Sequence, residues 1–184
     1  MEECTEAEVN RLLPMVSPQR REQALRYHHT FGRYCCLKSW VLLLSEVTNP
    51  LKPGNDPVLI PLEFRYNDYG KPYLDGGPFF SISHCKEGIA VVVAENEVGI
   101  DIESIRKADA DLIARTMNEQ ERLAIRNDRD FTRLWTQKEA LVKAQGVGIH
   151  SFEQLQKIVE ESKGWSVESF ENEKYIYSIA YKNT

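Results

Sequence analysis

The run Val98-Gly99-Ile100-Asp101-Ile102-Glu103 alternates apolar and acidic residues with the period of a β-strand. It therefore demands a sheet with two unlike faces: Asp101 and Glu103 project together while Ile100 and Ile102 point oppositely. A second run, Trp135 to Lys143, reads as helix, and residues four apart on a helix meet, so Glu139 and Lys143 form one unit. Phe131, Trp135 and Val142 fall on roughly the same stripe as Glu139, where a carboxylate is costly unless a charge or a metal neutralises it. Carboxylates alone suit a hard cation such as Mg²⁺, which shares its shell with water and phosphate oxygens. Together the runs read as a Mg²⁺ site of Asp101, Glu103 and Glu139 beside Lys143. Each run also has an ordinary reading. The first is then a solvated strand face, and the second a surface ion pair worth about 0.3–0.5 kcal/mol.

The chain has 184 residues, 42% hydrophobic and 28% charged, which fits one globular domain or two small lobes. A net charge of −5 argues against nonspecific nucleic-acid binding, although a local basic patch still suits phosphates. No apolar run approaches the ~20 residues of a membrane span, and the acidic start Met1 to Glu6 lacks the order of a signal peptide. The cysteines Cys4, Cys35, Cys36 and Cys85 contain no C-x-x-C pair, and adjacent Cys35 and Cys36 are a poor start for a disulfide framework. Reduced thiols in a cytoplasmic protein are expected. Cys85 reads as an inert strand-end thiol rather than a nucleophile.

Residues 17 to 47 read as one long helix or two, with Gly32-Arg33 as the expected break. Asn49 to Pro57 is too rich in Pro and Gly for a regular element. Leu62 to Tyr66 alternates like a short strand, and Asn67 to Gly70 turns the chain into Lys71-Pro72. Phe79–His84, Ile89–Ala94 and Val98–Glu103 predict a β-meander. Residues 109 to 127 and 131 to 145 predict helices, the second stopped by Gly146 and Gly148. Ser151 to Gln154 resembles a capping box. Residues 165 to 170 and 175 to 181 alternate as strands, with a hairpin around Glu171 to Lys174 closing a second sheet. Helix and strand without strict βαβ alternation predicts an α+β fold.

Gly99 to Glu103 and Trp135 to Lys143 closely resemble the signature G-[IV]-D-[IV]-E … W-[TS]-x-K-E-[AS]-x-x-K of the surfactin-type 4′-phosphopantetheinyl transferases, in the holo-acyl-carrier-protein synthase superfamily. Tyr69-Gly70-Lys71-Pro72 and Phe80-Ser81-Ile82-Ser83-His84 resemble further blocks of that family, and Ser17 to Glu22 is a weaker echo. The resemblance implies two similar α+β lobes, 1–95 and 96–184, related by a pseudo-two-fold axis with the active site in their cleft. It implies Mg²⁺-dependent transfer of the 4′-phosphopantetheine arm of coenzyme A to a serine of an acyl or peptidyl carrier protein, releasing adenosine 3′,5′-bisphosphate.

In that scheme Asp101, Glu103 and Glu139 hold Mg²⁺. Glu139, directly or through a metal-bound water, takes the serine proton, and Lys143 serves the departing phosphate. Lys71, Pro72, Ser83, His84, Lys138, Arg20 and Arg33 are candidates for coenzyme A contacts. Where family members often carry a second basic residue near the N-terminal block, this chain has Gln23. Arg115, Met117, Arg122 and Leu123 are candidates for the carrier's landing surface. A monomer is expected, with neither nucleic acid nor membrane as partner. The competing expectations are another Mg²⁺-dependent phosphoester enzyme and a non-catalytic module binding coenzyme A or a carrier.

Overall fold

The strand predicted around Asp101 forms, but it leaves its expected neighbours and joins a different sheet. In the computed structural model, which describes residues 4–48 and 64–183, the chain divides into two compact units, 1–61 and 62–184. The division falls upstream of the expected boundary at residues 95–96. The loop expected at Asn49 to Pro57 and the start of the strand expected at Leu62 lie outside the described residues.

The first unit is helical. Helix α1 (Glu6–Leu12) starts at Thr5, whose hydroxyl accepts from the Glu8 amide, and a single 3₁₀ turn (Leu13–Met15) follows it. Helix α2 (Pro18–Leu25) starts at Ser17, with Pro18 at the first turn where its missing N–H costs nothing. Helix α3 (Thr30–Val47) carries Leu37, Trp40 and Leu43, which are buried with Val9, Leu12 and Ala24. The expected single or double helix is thus double, but its break lies at residues 26–29 rather than at Gly32-Arg33. Gly32 sits inside α3, where a Cβ would stand 2.6 Å from Cδ1 of Tyr27. The glycine makes room for a ring folded back from the turn; it does not end the helix.

The second unit begins with a hairpin, β1 (Phe64–Tyr66) and β2 (Pro72–Leu74). Asn67 ties its turn by accepting from the Tyr69 and Lys71 amides, and Gly70 supplies the positive φ. A second hairpin pairs β3 (Phe79–His84) with β4 (Ile89–Ala94). Strand β5 (Val98–Ser104) does not extend this hairpin into a meander. It pairs with β7 (Tyr175–Lys182), whose other edge carries β6 (Trp165–Glu171), giving the order β5-β7-β6. The hairpin predicted at the C-terminal end is present, and the fold is a mixture of helix and sheet as expected.

Strand β5 instead touches β3 through side chains: Ser81 Oγ accepts from the Ile100 amide at 3.1 Å and Ser83 Oγ from the Ile102 amide at 3.3 Å. These bonds tie residues 79–84 into the same unit as β5, which is why the compact unit starts before residue 95.

The helix predicted over 109–127 is two, α4 (Ala110–Thr116) and α5 (Glu119–Ala124). Asn118 breaks it by capping α5 in a reciprocal box with Glu121. Helix α6 (Asp128–Gln145) runs from an Asn127 cap to Gly146, which adopts a left-handed conformation at φ 69°. Helix α7 (Phe152–Glu161) starts at Ser151, although Gln154 returns its side chain to the His150 amide rather than to that of Ser151.

Helix α6 lies on the face of β5 that carries Gly99, Asp101 and Glu103. A Cβ on Gly99 would stand 2.1 Å from the Ala140 carbonyl oxygen and 2.4 Å from the Ala144 nitrogen. Both obstacles are backbone, so neither can swing aside. The contact is backed by a core of Ala140, Leu141, Ala144, Leu155, Ile158 and Ala180. We expect Gly99→Ala to lower stability by about 3 kcal/mol or more, as overpacking against rigid atoms does. Urea denaturation checks this, and an unchanged midpoint would refute the close-approach argument.

Candidate functional site

Close packing of α6 on β5 brings the acidic and basic residues of the two runs together. Asp101 is 4% exposed. Its Oδ1 accepts from Lys143 Nζ at 2.6 Å and from the Ser83 hydroxyl at 2.8 Å. Its Oδ2 is buried and has no hydrogen-bond partner among the described residues. Burial first, then the charges of Asp101 and Glu103, push the Glu139 carboxyl up to about 7 against the opposing pull of Lys143. Burial and Asp101 likewise raise Glu103, which Arg106 and Lys143 oppose. The carboxylates therefore feel one another strongly, with Lys143 and Arg106 as the countercharges.

Arg106 was not singled out in the sequence. Its guanidinium stands 3.9 Å from Glu103 and lies over the Trp135 ring at 5.1 Å from the centroid. A basic residue just beyond the acidic strand was the available signal.

Beside these groups lies a cavity of about 360 Å³, walled by Tyr69, Lys71, Pro72, Phe80, Glu139 and Lys143 among others. Lys71 and Pro72 are thus on a cavity wall with the helix pair. The Lys71 ammonium donates to the Ala144 carbonyl at 3.2 Å and the Val98 carbonyl at 3.4 Å, and burial lowers its pKa. His84 is an exposed strand-end residue; partial desolvation and the nearby Lys143 charge hold its imidazole below the usual value. Ser83 faces Asp101 and Lys143 and does not present a free hydroxyl.

Lys138 requires a correction as a phosphate contact. It is fully buried, with its ammonium 2.7 Å from Glu121 and 2.5 Å from the Leu155 carbonyl, so its charge joins α5 and α7 to α6. Arg20 and Arg33 lie in the first unit. Arg20 donates to the Cys36 carbonyl and to Gln23 and stacks on Trp40 at 3.9 Å; Arg33 donates to the Tyr27 carbonyl and pairs with Glu6. Met117 is fully buried and so cannot belong to a landing surface, whereas Leu123 is 81% exposed.

Among the described residues no three carboxylate, imidazole or thiolate groups form a closed metal-ligand cluster. The donor chemistry nonetheless fits a hard cation. Asp101 retains an unpartnered buried oxygen; burial and Asp101 destabilise Glu103 as an anion, and burial, Asp101 and Glu103 destabilise Glu139.

An α+β framework that sets a buried aspartate, two half-buried glutamates and a lysine beside a cavity is suited to handling phosphate groups. Residues 97–183, just under half of the chain, match the model of the 4′-phosphopantetheinyl transferase superfamily. The surfactin-type branch is represented among its relatives. The 4′-phosphopantetheinyl transferase gsp of Aneurinibacillus migulanus is 31% identical over 147 residues, 77% of this chain and 60% of the relative. The 4′-phosphopantetheinyl transferase Sfp of Bacillus subtilis strain 168 is 26% identical over 153 residues, 79% of this chain and 66% of the relative. The 4′-phosphopantetheinyl transferase AcpT of Salmonella typhi is 35% identical over 122 residues, covering 59% and 58%. The chain thus spans roughly three fifths to two thirds of the length of these curated relatives. Among the described residues no helix is long and apolar enough to cross a membrane.

Two outcomes follow from the charges. A carboxyl raised from 4.5 to about 7 stabilises the fold below pH 4.5 and loses that contribution as pH rises through 7. In EDTA, wild type should lose about 2–3 kcal/mol relative to Glu139→Gln between pH 4.5 and 8. Paired unfolding curves test this, and parallel pH profiles would contradict it. Lys138→Ala should cost about 3–5 kcal/mol by removing the buried countercharge of partly buried Glu121. An unchanged urea midpoint would return Lys138 to the ligand site.

Proposed function

We propose that this chain transfers the 4′-phosphopantetheine arm of coenzyme A to a serine hydroxyl of an apo acyl or peptidyl carrier protein, releasing adenosine 3′,5′-bisphosphate. The observation that supports this most is the pairing of Glu139 and Lys143 one helical turn apart on a cavity wall, with the Glu139 carboxyl held near neutrality. A base for a serine hydroxyl works best when its pKa lies near the operating pH.

Glu139 takes the serine proton as the new bond to the phosphopantetheine phosphorus forms. The bond from that phosphorus to the bridging oxygen of the pyrophosphate breaks, and the leaving oxygen carries away the electron pair. Lys143 offers its ammonium to the charge that accumulates there. Asp101, Glu103 and Glu139 are the residues that would hold Mg²⁺, whose chemistry is to neutralise the pyrophosphate. Lys71 and Pro72 flank the same cavity for the adenosine phosphates. His84 contributes an imidazole at the end of β3.

Resemblance to that superfamily alone supports a two-lobed, pseudo-symmetric architecture, which we retain in this proposal. The same holds for a monomeric assembly. A cytoplasmic location fits a sequence with no C-x-x-C pair and with Cys35 and Cys36 adjacent.

Incubation with coenzyme A, Mg²⁺ and an apo acyl carrier protein, followed by intact-mass spectrometry, tests the reading. One phosphopantetheine should be gained, and the gain should vanish with EDTA and with Glu139→Gln. Coenzyme A hydrolysis without a carrier, or binding without transfer across several carriers, would replace it.

A further inference from the structure

The Ser83 hydroxyl stands at a junction that the transfer chemistry does not use. It donates its proton to Asp101 Oδ1 at 2.8 Å and accepts from Lys143 Nζ at 2.9 Å and the Ile102 amide at 3.3 Å. A hydroxyl has one proton and two lone pairs, so these three bonds exhaust it. Ser83 is 6% exposed, as is Ser81, which takes the Ile100 amide one strand step earlier. The two serines do for β5 what backbone carbonyls do in an ordinary strand pair.

The consequence for Asp101 is directional. Rotation of an aspartate carboxylate about its last torsion is soft. Here Ser83 and Lys143 both converge on Oδ1, and Lys143 is itself bonded to Ser83. This closed triangle of serine, lysine and carboxylate selects one rotation and leaves Oδ2 buried without a partner among the described residues.

We propose that Ser83 is a positioning residue for Asp101: it holds Oδ1 so that Oδ2 is kept for a divalent cation, and it is not a donor to a coenzyme A phosphate. This rests on the cation site of the proposed function. Residues that orient a metal ligand typically change metal affinity 10–100-fold when removed.

The test uses Mn²⁺ as a spectroscopic probe, titrated by electron paramagnetic resonance into the full chain with and without coenzyme A. Ser83→Ala and Ser83→Cys should weaken Mn²⁺ binding about 10–100-fold. Ser83→Thr, which keeps the hydroxyl, should stay within a few-fold of wild type. Coenzyme A affinity in EDTA should be unchanged in all three. In an Asp101→Asn background, Ser83→Ala should have no further effect on Mn²⁺, because the two act as one unit. If Ser83→Ala does not fold, the isosteric Ser83→Cys carries the comparison. Wild-type Mn²⁺ affinity in the folded alanine or cysteine variant, or a loss of coenzyme A affinity in EDTA, overturns the proposal while the cation reading stands. A wild-type chain that binds no Mn²⁺ under either condition overturns both.

Discussion

The close approach of α6 to β5 at Gly99 is the constraint on which the site depends. Strand and helix meet backbone to backbone, nearer than any side chain at position 99 would permit. That proximity carries the Glu139–Lys143 face of the helix onto the Asp101–Glu103 face of the strand. A larger separation would let water between the carboxylates and screen the interactions that distinguish this site from a surface ion pair.

Once dehydrated, the charges cannot all be satisfied among themselves. Lys143 serves Asp101 and Arg106 sits loosely by Glu103, while Glu139 is pushed towards the neutral form. The protein therefore holds a carboxyl that exchanges protons near neutrality and a carboxylate oxygen without a partner. Both are costly in a folding sense, and both are useful where a proton must be taken and phosphate charge must be met. Elsewhere the same chain resolves its buried charges fully: Lys138, next in sequence to Glu139, is paired with Glu121 and a carbonyl and is closed to ligands.

Much of this was legible in local pattern. The period-two run around Asp101, the helix through Glu139 and its stop at Gly146, and the C-terminal hairpin follow from residue spacing and turn chemistry. What failed were inferences about who neighbours whom. Gly32 reads as a helix breaker, yet it is a seat for Tyr27. The helix expected over 109–127 hides a break that depends on Asn118 and Glu121 capping each other. The expected meander dissolves because β5 finds β7, about 75 residues later in the chain as the register Asp101 to Ser178 shows, and long-range pairing leaves no mark on local periodicity.

The sequence by itself determined the chemical inventory and its local geometry: which carboxylates share a strand face, which lysine lies one turn from Glu139, and where the helices start and stop. These follow from backbone periodicity and capping, which act over a few residues. Only the tertiary structure decided which of the charged groups face one another, that Ser83 is saturated by Asp101 and Lys143, and that Lys138 is buried while Lys143 remains beside the cavity. Adjacent residues on a helix point about 100° apart. The same side chain thus becomes a structural pair or a site group according to what the fold packs against it.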